Sequence, residues 1–170
     1  GGINVDELQK LINSYQKGNK LAPGISFALL KEGKCVYKES HGFANLENRV
    51  KIDSKTNFYL ASVSKAFTAA AIMLLTERGE LNLDDNINEY FPDLKGIYND
   101  IKVMNLLNHT SGLRDYFDHF SEKGRLYQVT NQDVYNFIFR EDAREFPCGT
   151  KFKYSNTGYI LLSILIEKIS

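Results

Sequence analysis

One segment that is apolar on nearly every side constrains this chain most. From Val63 onward, Ala66, Phe67, Ala69, Ala70, Ala71, Ile72, Met73, Leu74 and Leu75 would leave little polar surface on a helix. A helix of that kind needs other elements to cover it, so this one is expected to be buried. It is expected to stop at Gly79, with Arg78 favourable at its negative end.

Two polar residues stand where this helix begins. Ser62 falls at or near the N-cap, a position that serine favours. Lys65 fits less simply, because a lysine in the first turn opposes the helix dipole. The i, i+3 spacing puts both on one face, with Cβ atoms roughly 5–6 Å apart. Desolvation and a positive helix terminus both favour a neutral lysine. Such a lysine can take a serine proton, and the Ser62 N–H can help hold an oxyanion. A second S-x-x-K stretch, Ser14-Tyr15-Gln16-Lys17, is the chance match that this composition predicts, about one per chain. It follows Leu8, Leu11, Ile12 and Tyr15 and precedes Gly18, the wrong end of its helix.

Downstream, Pro147-Cys148-Gly149-Thr150 reads as a turn. Lys151–Asn156 then reads as a short extended or looped stretch. Thr157-Gly158-Tyr159 opens another apolar helix through Ile160, Leu161, Leu162, Ile164, Leu165, Ile166 and Ile169. Tyr154 and Asn156 therefore project from a loop just ahead of a helix. A tyrosine hydroxyl can shuttle protons where a cation lowers its pKa. An asparagine amide can donate to a substrate carbonyl and accept from a lysine. The plain alternative is a core tyrosine and a helix-capping asparagine.

At these residues the chain resembles the serine penicillin-recognising enzymes: class C β-lactamases, D-alanyl-D-alanine carboxypeptidases and β-lactamase-like esterases. Ala61-Ser62-Val63-Ser64-Lys65-Ala66-Phe67-Thr68 is similar to their nucleophile helix. Leu81–Asp85, Leu106–Leu113 and Phe152–Tyr159 fit the same group in order and spacing. The resemblance implies that Ser62 is the acylated nucleophile and Lys65 its base or proton relay. It implies that Tyr154 is a second proton shuttle, mainly for deacylation, and Asn156 a substrate and network contact. Tyr154-Ser155-Asn156 in the second motif slot points to the class C and carboxypeptidase side. The fold implied is α+β, the β-lactamase/transpeptidase-like fold in part. Residues 1–55 would form the start of an α/β subdomain, a helix plus an antiparallel hairpin. Residues 56–170 would form the helical subdomain.

The third family motif, Lys-Thr-Gly or a variant such as His-x-Gly, does not occur in these 170 residues. The resemblance thus implies an N-terminal portion without the C-terminal strands. Gly1-Gly2 with no initiator Met fits a processed or added end. Two functional classes follow: a hydrolase acting on a β-lactam, a D-Ala-D-Ala peptide or an ester, and a non-catalytic penicillin-binding sensor or inactive fragment. The implied substrate is a small molecule or peptidoglycan peptide, and the implied location is periplasmic, extracellular or the cell envelope. The sequence itself leaves the cytoplasm open.

A formal net charge of zero argues against nucleic acid as a main partner. The run Ile160–Ile166 is far too short to span a bilayer. His41, His109, His119, Cys35 and Cys148 show no metal-ligand spacing, and no cofactor motif occurs, so no cofactor or metal is expected. The cysteines read as two lone thiols. His109 with Ser111 reads as a structural turn, because no G-x-S-x-G elbow is present.

Asn4, with Glu7 three residues on, reads as the cap of a first helix. Ile25–Lys31 and Cys35–His41 read as a hairpin, and Gly42–Ile52 as a polar connection. Short helices are expected near Ile87–Phe91, stopped by Pro92, and near Val103–Asn108. Another is expected near Asp133–Arg140, with Val134, Phe137 and Ile138 on one face. A lone hairpin leaves both edges open for pairing, so the chain is expected either to form a homo-oligomer through that edge or to borrow strands from a missing segment.

Overall fold

The computed structural model describes residues 4–16, 23–122, 124 and 128–170. Lys17 and Gly18, which complete the second S-x-x-K helix end, lie outside the described residues, as do Gly1 and Gly2. The chain forms two compact units, residues 1–59 and 60–170.

In the first unit, helix α1 (Val5–Gln16) starts at Asn4, whose Oδ1 accepts the Asp6 N–H at 3.1 Å. Strands β1 (Ile25–Lys31) and β2 (Lys34–His41) form the expected antiparallel hairpin. Its two turn residues, Glu32 and Gly33, have φ of 50° and 74°, the left-handed pair of a tight hairpin turn. The polar connection Gly42–Ile52 holds a second, smaller antiparallel pair, β3 (Phe43–Asn45) with β4 (Val50–Lys51). At two and three residues, these strands are too short to show an alternating pattern. Among the described residues, β1 and β2 make a sheet of two strands with no third.

The second unit is helical. Helix α2 (Ser64–Glu77) is preceded by a 3₁₀ turn, Ala61–Val63. It ends as expected. Arg78 is the C-cap, the Gly79 N–H reaches Thr76 O, and the Glu80 N–H reaches Leu75 O, a Schellman arrangement around Gly79 at φ 72°. The expectation that α2 is buried needs correcting. Only Ile72 and Leu75 are buried, while Val63 and Phe67 are 62% and 68% exposed. One side of α2 packs on the helical core; its other apolar side has no cover among the described residues. All-round apolarity in a sequence does not say which elements supply that cover.

Ile87–Glu89 forms a 3₁₀ turn with an Asn86–Glu89 capping box. Pro92 does not simply stop it. Proline opens the next turn, Pro92–Leu94, where its missing N–H costs nothing. Helices α3 (Val103–Leu107), α4 (Tyr116–Glu122), α5 (Asn131–Phe137) and α6 (Asn156–Ile169) follow. Helix α4 was not legible in the sequence. Helix α5 starts two residues earlier than expected, because Thr130 and Asp133 form its capping box. As read from the sequence, Val134, Phe137 and Ile138 are buried.

The core joins Ile72, Leu75, Phe91, Leu94, Ile101, Leu106, Phe137, Ile138, Leu161, Leu162 and Leu165. Helix α6 packs against α2, α3, α4 and α5 and is its central element. Helix α6 passes close to α3 at Gly158, where an added Cβ would lie in van der Waals contact, 3.4 Å from Leu106 O. Helix α6 also packs directly on α2, which brings the start of α6, where Asn156 sits, to the helix that carries Lys65.

Candidate active site

Ser62 lies in the 3₁₀ turn just before α2 rather than at the cap itself, and Val63 takes the N-cap position with no side-chain cap. Freed from capping, Ser62 Oγ stands 2.8 Å from Tyr154 Oη and 3.2 Å from Lys65 Nζ, which donates to it. Lys65 Nζ also donates to Asn156 Oδ1 at 2.6 Å. The structure thus brings all four residues singled out in the sequence together, with Ser62 and Tyr154 meeting across 92 positions. Lys65 Nζ lies 4.9 Å from the Tyr154 ring centroid and 5.7 Å from that of Tyr159, so two aromatic faces help hold the cation.

Asn156 is the first residue of α6 rather than a loop residue before it, and Ser155 occupies the N-cap. Its side chain is therefore not a cap and is free to bridge. Its Nδ2 donates to Asp115 Oδ2 at 2.8 Å while its Oδ1 accepts from Lys65.

Tyr154 is positioned by a loop laced to the segment after α3. The Lys153 N–H reaches His109 O at 3.0 Å, the Ser155 N–H reaches His109 Nδ1 at 3.2 Å, and the Gly149 N–H reaches Thr110 O at 2.8 Å. The His109 ring packs on Tyr154 and Tyr159, with centroids 4.7 and 5.1 Å away. His109 does not pair with Ser111, whose Oγ instead accepts from the Leu113 N–H. As expected it is structural, held at φ 59°. Gly112, at φ 78°, lets the returning strand pass: a Cβ there would meet Phe146 O at 2.0 Å. The Glu145 N–H then bonds Gly112 O at 2.8 Å.

The electrostatics follow from these contacts. Burial pushes the Tyr154 hydroxyl up, but hydrogen bonds from Lys65 and Ser62 and the Lys65 charge outweigh it. The phenol therefore lies below its ordinary pKa of 10.0. Burial, reinforced by the Lys65 charge, pushes His109 below 6.5, outweighing the opposing Ser155 bond and Asp115 charge. With Lys65 donating to Ser62 as a cation, the easily ionised Tyr154 is the neighbouring group able to take the serine proton, and Lys65 favours the phenolate that does so. Asp115 and His109 are the contacts that sequence reasoning did not assign to the site. A signal for Asp115 was present, an acidic residue two positions after Gly112-Leu113, but nothing linked it to Asn156.

Cys35 and Cys148 are free thiols, and no cluster of metal-ligating side chains occurs among the described residues. No helix among them is long and apolar enough to cross a membrane.

The family model described as Beta-lactamase matches residues 8–170. The chain belongs to the β-lactamase family. It is 36% identical over 140 residues to penicillin-binding protein 4* of Bacillus subtilis, covering 81% of this chain and 31% of that protein. The octameric penicillin-binding protein homologue of Pyrococcus abyssi superposes with a TM-score of 0.81 at 31% identity, covering 98% of this chain and 39% of that one. The D-amino acid amidase of Ochrobactrum anthropi superposes with a TM-score of 0.77 at 30% identity, covering 96% and 44%. This β-lactamase-family chain therefore spans about a third of the length of the curated relative it matches and under half of these solved structures. Its fold is the partial β-lactamase/transpeptidase-like fold that the motifs implied.

Proposed function

We propose that the protein is a serine hydrolase that attacks an amide or ester carbonyl through Ser62. The observation that carries this reading is the placement of Ser62 Oγ between Tyr154 Oη and Lys65 Nζ. In the acylation step, Ser62 Oγ bonds to the substrate carbonyl carbon, the carbonyl electron pair moves to its oxygen, and the serine proton passes to the ionised Tyr154 beside the Lys65 ammonium. These two act as one coupled acid–base unit. The tetrahedral centre then collapses, the C–N or C–O bond breaks, and the pair returns the proton to the leaving group. Water repeats the sequence on the acyl-enzyme, with Tyr154 the main proton acceptor. Asn156 holds Lys65 and offers its amide to the substrate.

The substrate class is a β-lactam, a D-Ala-D-Ala peptide, an ester or, given the amidase neighbour, a D-amino acid amide. The experiment is intact-mass detection of a fluorophosphonate or labelled penicillin on Ser62, followed over time. Turnover of a reporter ester or β-lactam supports hydrolysis. A stable adduct without turnover supports the penicillin-binding sensor instead.

Among the described residues the edges of the β1–β2 sheet are open, and with an octameric relative this supports assembly with copies of the same chain through that edge. Size-exclusion chromatography that gives a well-folded monomer counts against it.

A further inference from the structure

We infer that Asp115 is a positioning residue that fixes the Asn156 amide and, through it, Lys65; this rests on the reading of Ser62 as nucleophile. Asp115 is about nine-tenths buried, at 9% exposure. Its Oδ1 accepts the Phe117 N–H at 3.0 Å, the N-cap bond of α4. Its Oδ2 accepts two donors from one residue, the Asn156 N–H at 3.2 Å and Asn156 Nδ2 at 2.8 Å. A carboxylate only accepts, so it selects one of the two orientations of the Asn156 amide. The NH₂ must face Asp115, and Oδ1 must therefore face Lys65, where it accepts at 2.6 Å. The opposite orientation would set an NH₂ against the ammonium and an oxygen against the carboxylate.

The segment that carries Asp115 is itself pinned to α6. Thr157 is fully buried, and its Oγ1 donates to Arg114 O at 2.7 Å and accepts the Tyr116 N–H at 2.9 Å. The residues on either side of Asp115 are thus bound by the residue after Asn156. Asp115 cannot shift along α6 without breaking these bonds. A chain of charge-assisted hydrogen bonds runs Asp115–Asn156–Lys65–Ser62, with short links of 2.8 Å and 2.6 Å at Asn156 and a longer one of 3.2 Å at Ser62. Helix capping alone would need only the Phe117 and Asn156 backbone bonds. The Nδ2 bond is the one that reaches the site.

Asp115→Asn tests this, because an asparagine offers one acceptor where the site uses two. The freed or flipped Asn156 amide withdraws its oxygen from Lys65. The fluorophosphonate labelling rate of Ser62 should fall about 10- to 100-fold, the scale of a misplaced catalytic group. In an Asn156→Ala background the same substitution should change the rate less than about twofold, because the route is already cut. Equal losses in both backgrounds would overturn the proposal in favour of a structural cap. Asn156 side-chain amide resonances give a second readout that needs no acylation. They should be rigid and slowly exchanging in the wild type and lose that protection in Asp115→Asn. Unchanged resonances would overturn the proposal even if Ser62 proves unreactive. A wild type that is never labelled contradicts the nucleophile reading, while the resonances still decide the role of Asp115.

Discussion

Lys65 Nζ lies 2.6 Å from Asn156 Oδ1 and 3.2 Å from Ser62 Oγ, so one ammonium links the start of α2 to the start of α6. Removing it should affect the reaction more than the fold. Lys65→Ala is expected to slow labelling of Ser62 by at least about 100-fold, the usual worth of a positioned acid–base group. Its far-UV circular dichroism should match the wild type. Labelling at the wild-type rate would remove Lys65 from the chemistry.

Tyr154 is predicted to shape the alkaline side of the pH profile. Its phenol is held below its ordinary value because the Lys65 and Ser62 bonds and the Lys65 charge outweigh burial. The ionised fraction therefore rises at lower pH than in a free tyrosine. The labelling rate should climb with pH and level off below pH 10, the unperturbed value. Tyr154→Phe should lose that limb. A limb that persists in Tyr154→Phe would assign it to another group.

His109 is predicted to make stability pH-dependent. Burial, with help from the Lys65 charge, lowers its pKa in the folded state. Below about pH 6.5 the unfolded chain therefore binds more protons than the folded one. The stabilisation is fully present above about 6.5 and is lost as pH falls through the folded value. Protonation also removes the Nδ1 acceptor of the Ser155 N–H. Carboxylates with lowered values, Glu39, Asp100 and Asp142, act in a separate window, below about pH 4.5. Denaturant unfolding of the wild type and His109→Asn across pH 4.5–7.5, an interval set by the histidine window, should show the upper slope in the wild type only.

Two glycines with similar backbone angles should respond differently to alanine. Gly79 has φ 72° and nothing within 4 Å of its would-be Cβ, so Gly79→Ala costs only strain, about 1–2 kcal/mol. Gly112 has φ 78° and a would-be Cβ 2.0 Å from Phe146 O. Gly112→Ala should cost more than about 3 kcal/mol, strain plus displacement of the loop that carries Tyr154. Equal unfolding midpoints would contradict the packing at Gly112.

The sequence carried the local parts of this molecule well, because they depend on local chemistry. The stop of α2 at Gly79, the β1–β2 hairpin and the apolar face of α5 each follow from a few neighbouring residues. Pairing Ser62-Lys65 with Tyr154 and Asn156 came from four ordered motif matches. What could not be read depends on distant partners. Whether Val63 and Phe67 are covered depends on elements far from α2. Asp115 gains its place only because Thr157 pins residues 114 and 116 to α6, and no periodicity encodes a bond across 41 positions. Helix α4 is short and owes its start to that same carboxylate.

Ser62 is proposed to be a nucleophile activated by the groups around it. The most direct measurement is intact-mass spectrometry after exposure to a fluorophosphonate, with peptide mapping of any adduct. A single adduct on Ser62 is expected, absent in Ser62→Ala and strongly slowed in Lys65→Ala. An adduct elsewhere, or equal labelling of the wild type and Ser62→Ala, would contradict it.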